Sequence, residues 1–236
     1  MNYYVPKQLL TTNNEKTIKG EKYGYTTYVL YMSPFTANSL GKNVCSHASA
    51  GCVKSCLFTA GKGSFPNVKN GRTNKTNYFL NDRQSFLMHL FTEITFIQAR
   101  HKKKGEKFAI RLNGTSDLAY EKLKISSLGK TLFELFPDVQ FYDYTKNYNR
   151  FKNALPSNYH LTFSRSESNE RKVLDILKAG FNAAVVFKTL PDTWNGYKVI
   201  IGDDTDLRFL DEKNVVVGLT AKGSGKKDKS GFVVQV

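Results

Sequence analysis

The sequence predicts an α/β fold, a partial parallel (β/α) barrel with a cysteine loop after its first strand. Three observations lead there. Short β-forming runs alternate with helical periodicity through the middle of the chain. Two of the runs, "AAVVF" and "NVVVGL", are apolar at every position, as in strands covered on both faces. Polar residues gather just past the ends of the runs, in "SPFT", "NGTSD", "DYTKN", "SRSES", "GDDTD" and "TAKG". That rim is where parallel α/β folds bind ligands. About seven strands are legible, one fewer than the roughly eight of a closed barrel.

The 236 residues fit one domain. Residues 1–27 read as an irregular polar segment, 28–220 as the partial barrel and 221–236 as a basic tail. "YVLYMSP" (28–34) is the first strand, stopped by Pro34. The cysteines follow it. A long helix starts at a capping Asn81 or Asp82, with Phe86, Leu87, Leu90, Phe91, Ile94 and Ile97 at helical spacing. It ends in "RHKKKGEK", where basic residues suit the helix dipole and Gly105 suits a left-handed cap. "KFAIRLNG" is a strand, "LGKTLFELFPD" a short helix and "VQFYDYTKN" a strand. "YHLTFSRSE" is the next strand, and "NERKVLDILKAG" a helix closed by Gly180. "NAAVVFKTL", "YKVIIGDD" and "NVVVGLTAKG" complete the set.

No apolar run reaches the roughly 18 residues that span a membrane, and "MNYYVPKQLLTTNNEKTIKG" lacks the pattern of a secretory signal. The expected compartment is therefore the cytoplasm, where thiols stay reduced. The net charge is +15. Between Lys62 and Lys107 stand ten Lys or Arg against Asp82, Glu93 and Glu106. Such a surplus attracts polyanions, nucleic acid first among them, and also serves simply as solvated surface. Phe65, Tyr78 and Phe79 are the aromatics available there to stack on bases.

All three cysteines lie in "NVCSHASAGCVKSCLFTAGKG" (43–63), spaced C-x6-C-x3-C as Cys45, Cys52 and Cys56. In a reducing compartment an odd count favours metal or redox chemistry over disulfides. If "CVKSCLF" is helical, Cys52 and Cys56 share one face. Three readings stand: unrelated buried thiols, a Cys3His zinc completed by His47, and an iron–sulfur cluster. A four-iron cubane on three cysteines keeps one iron open to another ligand, and a three-iron cluster is the other form. Zinc or a cluster could also be purely structural in a nucleic-acid-binding protein.

The stretches "NVCSHASAGCVKSCLFTAGKG", "YFLNDRQSFL", "IRLNGTSDL", "FPDVQFYDYTKN", "YHLTFSRSESNE" and "VVVGLTAKG" resemble the phage gene-product-88 family. The placement of three cysteines after the first strand also resembles radical S-adenosylmethionine enzymes, although their usual spacing is C-x3-C-x2-C and their Gly-Gly-Glu segment has no counterpart here. That resemblance implies a 4Fe-4S cluster on Cys45, Cys52 and Cys56, with S-adenosylmethionine or another small molecule on the open iron. By position it implies cofactor contacts from Asn113, Gly114, Ser116 and Asp117 after the second strand. It likewise implies contacts from Ser164, Arg165 and Ser166 after the fourth, with Arg165 forking onto a carboxylate. A reducible cluster further implies an electron donor such as a ferredoxin or flavodoxin. The plainer readings are a turn at "NG", a helix cap in "SRSESNE" and an ion pair for Arg165. "GDDTD" reads as an acidic turn rather than a cation site, His89 as a packed histidine, and "AKGSGKKDKSG" as a flexible basic loop. No residue is assigned a catalytic role.

Overall fold

The computed structural model describes residues 3–12, 15–56, 58 and 61–236. In chain order the strands and helices are β1 (Leu10–Thr11), α1 (Glu15–Glu21), β2 (Tyr25–Leu30), α2 (Ala50–Lys54), α3 (Pro66–Asn81), α4 (Arg83–Lys104), β3 (Lys107–Arg111), β4 (Lys124–Ile125), β5 (Lys130–Thr131), α5 (Leu132–Leu135), β6 (Gln140–Thr145), β7 (Tyr159–Ser164), α6 (Glu170–Lys178), β8 (Ala183–Phe187), β9 (Thr193–Trp194), β10 (Tyr197–Ile201) and β11 (Val216–Thr220).

Nine strands form one sheet in the order β1-β2-β3-β6-β7-β8-β11-β10-β9. The seven inner strands run parallel, from β2 to β10, and correspond to the seven runs read from the sequence. Short antiparallel strands, β1 and β9, stand at the two edges, so the sheet stays open. The order is sequential as far as β8. There β11 inserts between β8 and β10, a departure from the simple succession of a barrel. The fold is thus mixed α/β on a large, mostly parallel sheet.

Each face of β6 has its own layer, as the period of two requires. Phe141 packs on Phe133 of α5. Tyr142 turns the other way, onto Phe209, and its hydroxyl bonds Asp206. On that second face Arg111 pairs with Asp206 at 2.6 Å. The acidic turn "GDDTD" is therefore spent internally: Asp206 on Arg111, and Asp203 on Thr220 N and Lys222.

The long helix starts where Asp82 accepts from Ser85 N and ends on left-handed Gly105 at φ 67°. Its neighbour α3 has no clear apolar stripe, which is why the sequence did not reveal it. Tyr78 and Phe79 of α3 are only 4% and 2% exposed. Both pack against Phe86 of α4, so they are core residues and cannot stack on bases; Phe65 remains exposed.

Two terminal expectations also change. The first 27 residues are not wholly irregular, since β1, α1 and the start of β2 lie within them. Residues 221–236 are not a free tail. Ala221, Phe232 and Val233 are buried, and Val234 exchanges backbone hydrogen bonds with Val186 and Lys188 along β8. The segment covers otherwise open apolar surface beside Cys52.

Candidate functional site around three cysteines

The cysteine segment follows β2 and lies at the end of the sheet toward which the parallel strands point. Its short helix α2 begins at Ser49, whose hydroxyl accepts from Cys52 N. It stops before Cys56, which lies past the Ser55 cap; its amide reaches Val53 O at 3.3 Å. Cys52 and Cys56 are thus a helix residue and a loop residue rather than partners on one helical face.

Glu167, just after β7, fixes this helix. Its carboxylate accepts from Ser49 Oγ at 2.6 Å and from Gly51 N at 2.8 Å. Gly51 is needed there: a Cβ would fall 2.3 Å from Ser230 Oγ and 2.8 Å from Phe232 Cβ. Only a residue without a side chain lets α2 approach the loop after β7 and the C-terminal segment together.

No disulfide joins the three cysteines, and all are half-buried. Burial pushes the Cys45 thiol up to about 12, with Asp117, Cys56 and Cys52 adding to the effect. Burial also raises Cys56, and Cys52 adds to it, while Lys146 and Arg72 pull it back down. Cys45 Sγ lies 3.5 Å from Thr115 O.

Two cations lie within electrostatic reach of Cys56. Arg72 reaches from α3 between the Tyr31 and Phe58 rings, 5.1 and 5.6 Å from their centroids. Its Nε and Nη1 are buried and make no hydrogen bond among the described residues. Burial lowers its pKa. Lys146 follows β6, and its Nζ donates to Ser164 Oγ at 3.0 Å. Neither cation forms an ion pair with a carboxylate among the described residues.

The residues named by position along the rim prove unequal. Asn113 is fully engaged. Its amide and Nδ2 donate to Asp143, and its Oδ1 accepts from Ser116 Oγ and Leu118 N. Gly114 is a close-packing point, where a Cβ would stand 2.6 Å from Val29. Asp117 accepts from Thr145 Oγ1 and Lys146 N and pairs with buried Arg150, so it ties the loop after β3 to the loop after β6. Arg165 donates to the Gly231 and Phe232 carbonyls and to Glu170, which is the ion-pair role. Ser166 is buried, its amide held by Asn169 Oδ1 in the turn before α6. Ser164 accepts from Lys146 Nζ. His47 is exposed and bonds Ser46.

Among the described residues, no three His, Cys, Asp or Glu side chains converge closely enough to hold a single metal ion. The profile of the gene product 88 family matches residues 8–236. The chain belongs to the gene product 88 family. No curated protein and no solved structure matches it. No helix among the described residues of this gene product 88 protein is long and apolar enough to cross a membrane.

Arg72, Lys146, Tyr31 and Glu167 carry the site's charge and shape, and sequence reading missed all four. Glu167 sat inside a quoted motif, but nothing local marked its reach of 116 residues to Gly51.

Proposed function

We propose that this gene product 88 protein is an iron–sulfur protein built on a partial-barrel frame. Cys45, Cys52 and Cys56 hold the cluster, one iron is left for a small ligand, and S-adenosylmethionine is the leading candidate. The observation that carries the reading is the trio itself: three half-buried thiols in one segment, with two cations near Cys56 that have no carboxylate partner among the described residues. A tetrahedral zinc would draw its sulfurs to roughly 2.3 Å from one centre, and these thiols do not converge in that way. A cluster takes each thiolate on a different iron and so accepts wider spacing.

The donor set fits. Thiolates, not thiols, are the ligands, and three buried thiolates repel one another. Arg72 and Lys146 offset that repulsion, which is why both lower Cys56. Ser164 orients Lys146, Asp117 holds the Lys146 backbone, and Glu167 with Ser49 holds the helix that carries Cys52. When bound, a cluster with an open iron supplies a coordination position and an electron. The surplus positive charge of Arg72 favours an anionic group on the incoming molecule, such as a carboxylate. Electrons would come from a ferredoxin- or flavodoxin-like donor.

Anaerobically prepared protein, reduced and followed by electron paramagnetic resonance, tests the ligand. A cluster signal that changes on adding S-adenosylmethionine supports the reading. A cluster signal indifferent to it leaves a different small molecule or plain electron transfer. Absence of any cluster signal after reconstitution with iron and sulfide overturns it.

A further inference from the structure

We infer that the pocket between the cysteine segment and the α3–α4 junction binds a nucleotide, either free or at the end of a nucleic-acid strand. The pocket measures about 440 Å³, within the range of about 300–1,000 Å³ of small-molecule sites. Its floor is apolar, with Val44, Phe79 and Leu118 among the lining residues. Around it stand Lys42, Arg83 and Lys122, and no acidic residue lines it. All three cations are exposed.

The nearby carboxylates are turned to other work. Asp82 caps α4 through Ser85 and accepts from Tyr3. Glu121 is bound by Nε and Nη2 of Arg150. Among the described residues none of the three cations forms an ion pair, which leaves more positive charge at the pocket than one carboxylate needs and a match for phosphate. The Arg83 guanidinium lies over the Phe79 ring, 5.2 Å from its centroid, and such a planar cation also stacks on aromatic bases. An apolar floor, a planar cation and two point cations together suit a base carrying phosphate. The inference is independent of the cluster, since none of these side chains belongs to the cysteine site.

The test is calorimetric titration of the full chain with ADP and with an eight-residue oligothymidylate, in wild type and in Arg83→Glu, Lys122→Glu and Lys178→Glu. Lys178 is an exposed residue at the end of α6, away from the pocket, and controls for net charge. Binding at least tenfold weaker in Arg83→Glu and Lys122→Glu, and within threefold of wild type in Lys178→Glu, is the expected result. Melting temperatures should agree across the set. If Arg83→Glu fails to fold, Lys122→Glu carries the test. ADP binding as tight as the oligonucleotide assigns a free nucleotide; an oligonucleotide at least a hundredfold tighter, with the same losses, assigns a strand. No saturable binding of either probe, or equal weakening in all three variants, overturns the inference.

Discussion

Replacing Glu167 should open the cysteine segment. In Glu167→Ala the Gly51 amide and the Ser49 hydroxyl lose a charged acceptor at 2.8 and 2.6 Å. Hydrogen bonds to a charged group contribute about 1.5–3 kcal/mol each. Because Glu167 is partly exposed, water replaces some of that, and a total of about 2 kcal/mol is the working figure. The loss falls on local opening, since Glu167 joins α2 to the loop after β7 rather than holding the sheet. Opening that costs about 2 kcal/mol less is about thirtyfold more frequent. Labelling of Cys52 with dithiodipyridine in metal-free protein should accelerate by that factor, with Glu167→Gln in between. Burial works against the Glu167 carboxylate, but hydrogen bonds from Ser49, Gly51 and its own amide outweigh it, so its pKa lies below the ordinary 4.5. A depressed folded pKa gives stability that is complete above the ordinary carboxylate range and is lost as pH falls through the folded value. The difference between wild type and Glu167→Ala should therefore shrink in acid below about pH 4.5. Labelling of Glu167→Ala within threefold of wild type at neutral pH would refute the anchoring role.

Four further outcomes are expected. Gly51→Ala forces a Cβ onto Ser230 and Phe232 and should cost about 1–3 kcal/mol by overpacking, read as a lower midpoint in urea. Arg150→Ala strands Asp117 and Glu121 around a side chain only 1% exposed; a loss of about 3–5 kcal/mol should lower the melting temperature by roughly 6–20 °C. With its pKa pushed up to about 12, Cys45 in metal-free protein should resist iodoacetamide at pH 8 and react increasingly as pH approaches 12, followed by peptide mass. Arg72→Gln and Lys146→Gln should each raise the Cys56 pKa, since both cations lower it, and each should retain less iron through gel filtration than wild type.

Much of the frame was legible because it depends on local patterns. Short β-forming runs, two of them wholly apolar, gave the parallel strands, and the Asp82 and Gly105 signals bounded the long helix. The β11 insertion was not legible, because strand order is set by long-range pairing that no local run encodes. Helix α3 escaped for want of periodicity, and with it the burial of Tyr78 and Phe79. The cysteines were legible as a cluster of rare residues in one segment. Their surroundings were not: Arg72, Lys146 and Glu167 arrive from three different elements, and an isolated Arg, Lys or Glu looks like solvated surface. Among the rim residues, chemistry suggested ligands where geometry supplies internal bonds, most plainly for Asn113 and Arg165. Polar side chains at strand ends satisfy the loop backbone as readily as they bind a ligand.

The central claim is that three cysteines hold an iron–sulfur cluster, and metal stoichiometry tests it most directly. Anaerobically purified wild type should carry about three or four irons and a similar number of sulfides per chain, with brown absorbance that bleaches on reduction. Each of Cys45→Ser, Cys52→Ser and Cys56→Ser should lose most of both. One zinc per chain with no sulfide, or full iron content in all three variants, would contradict the account.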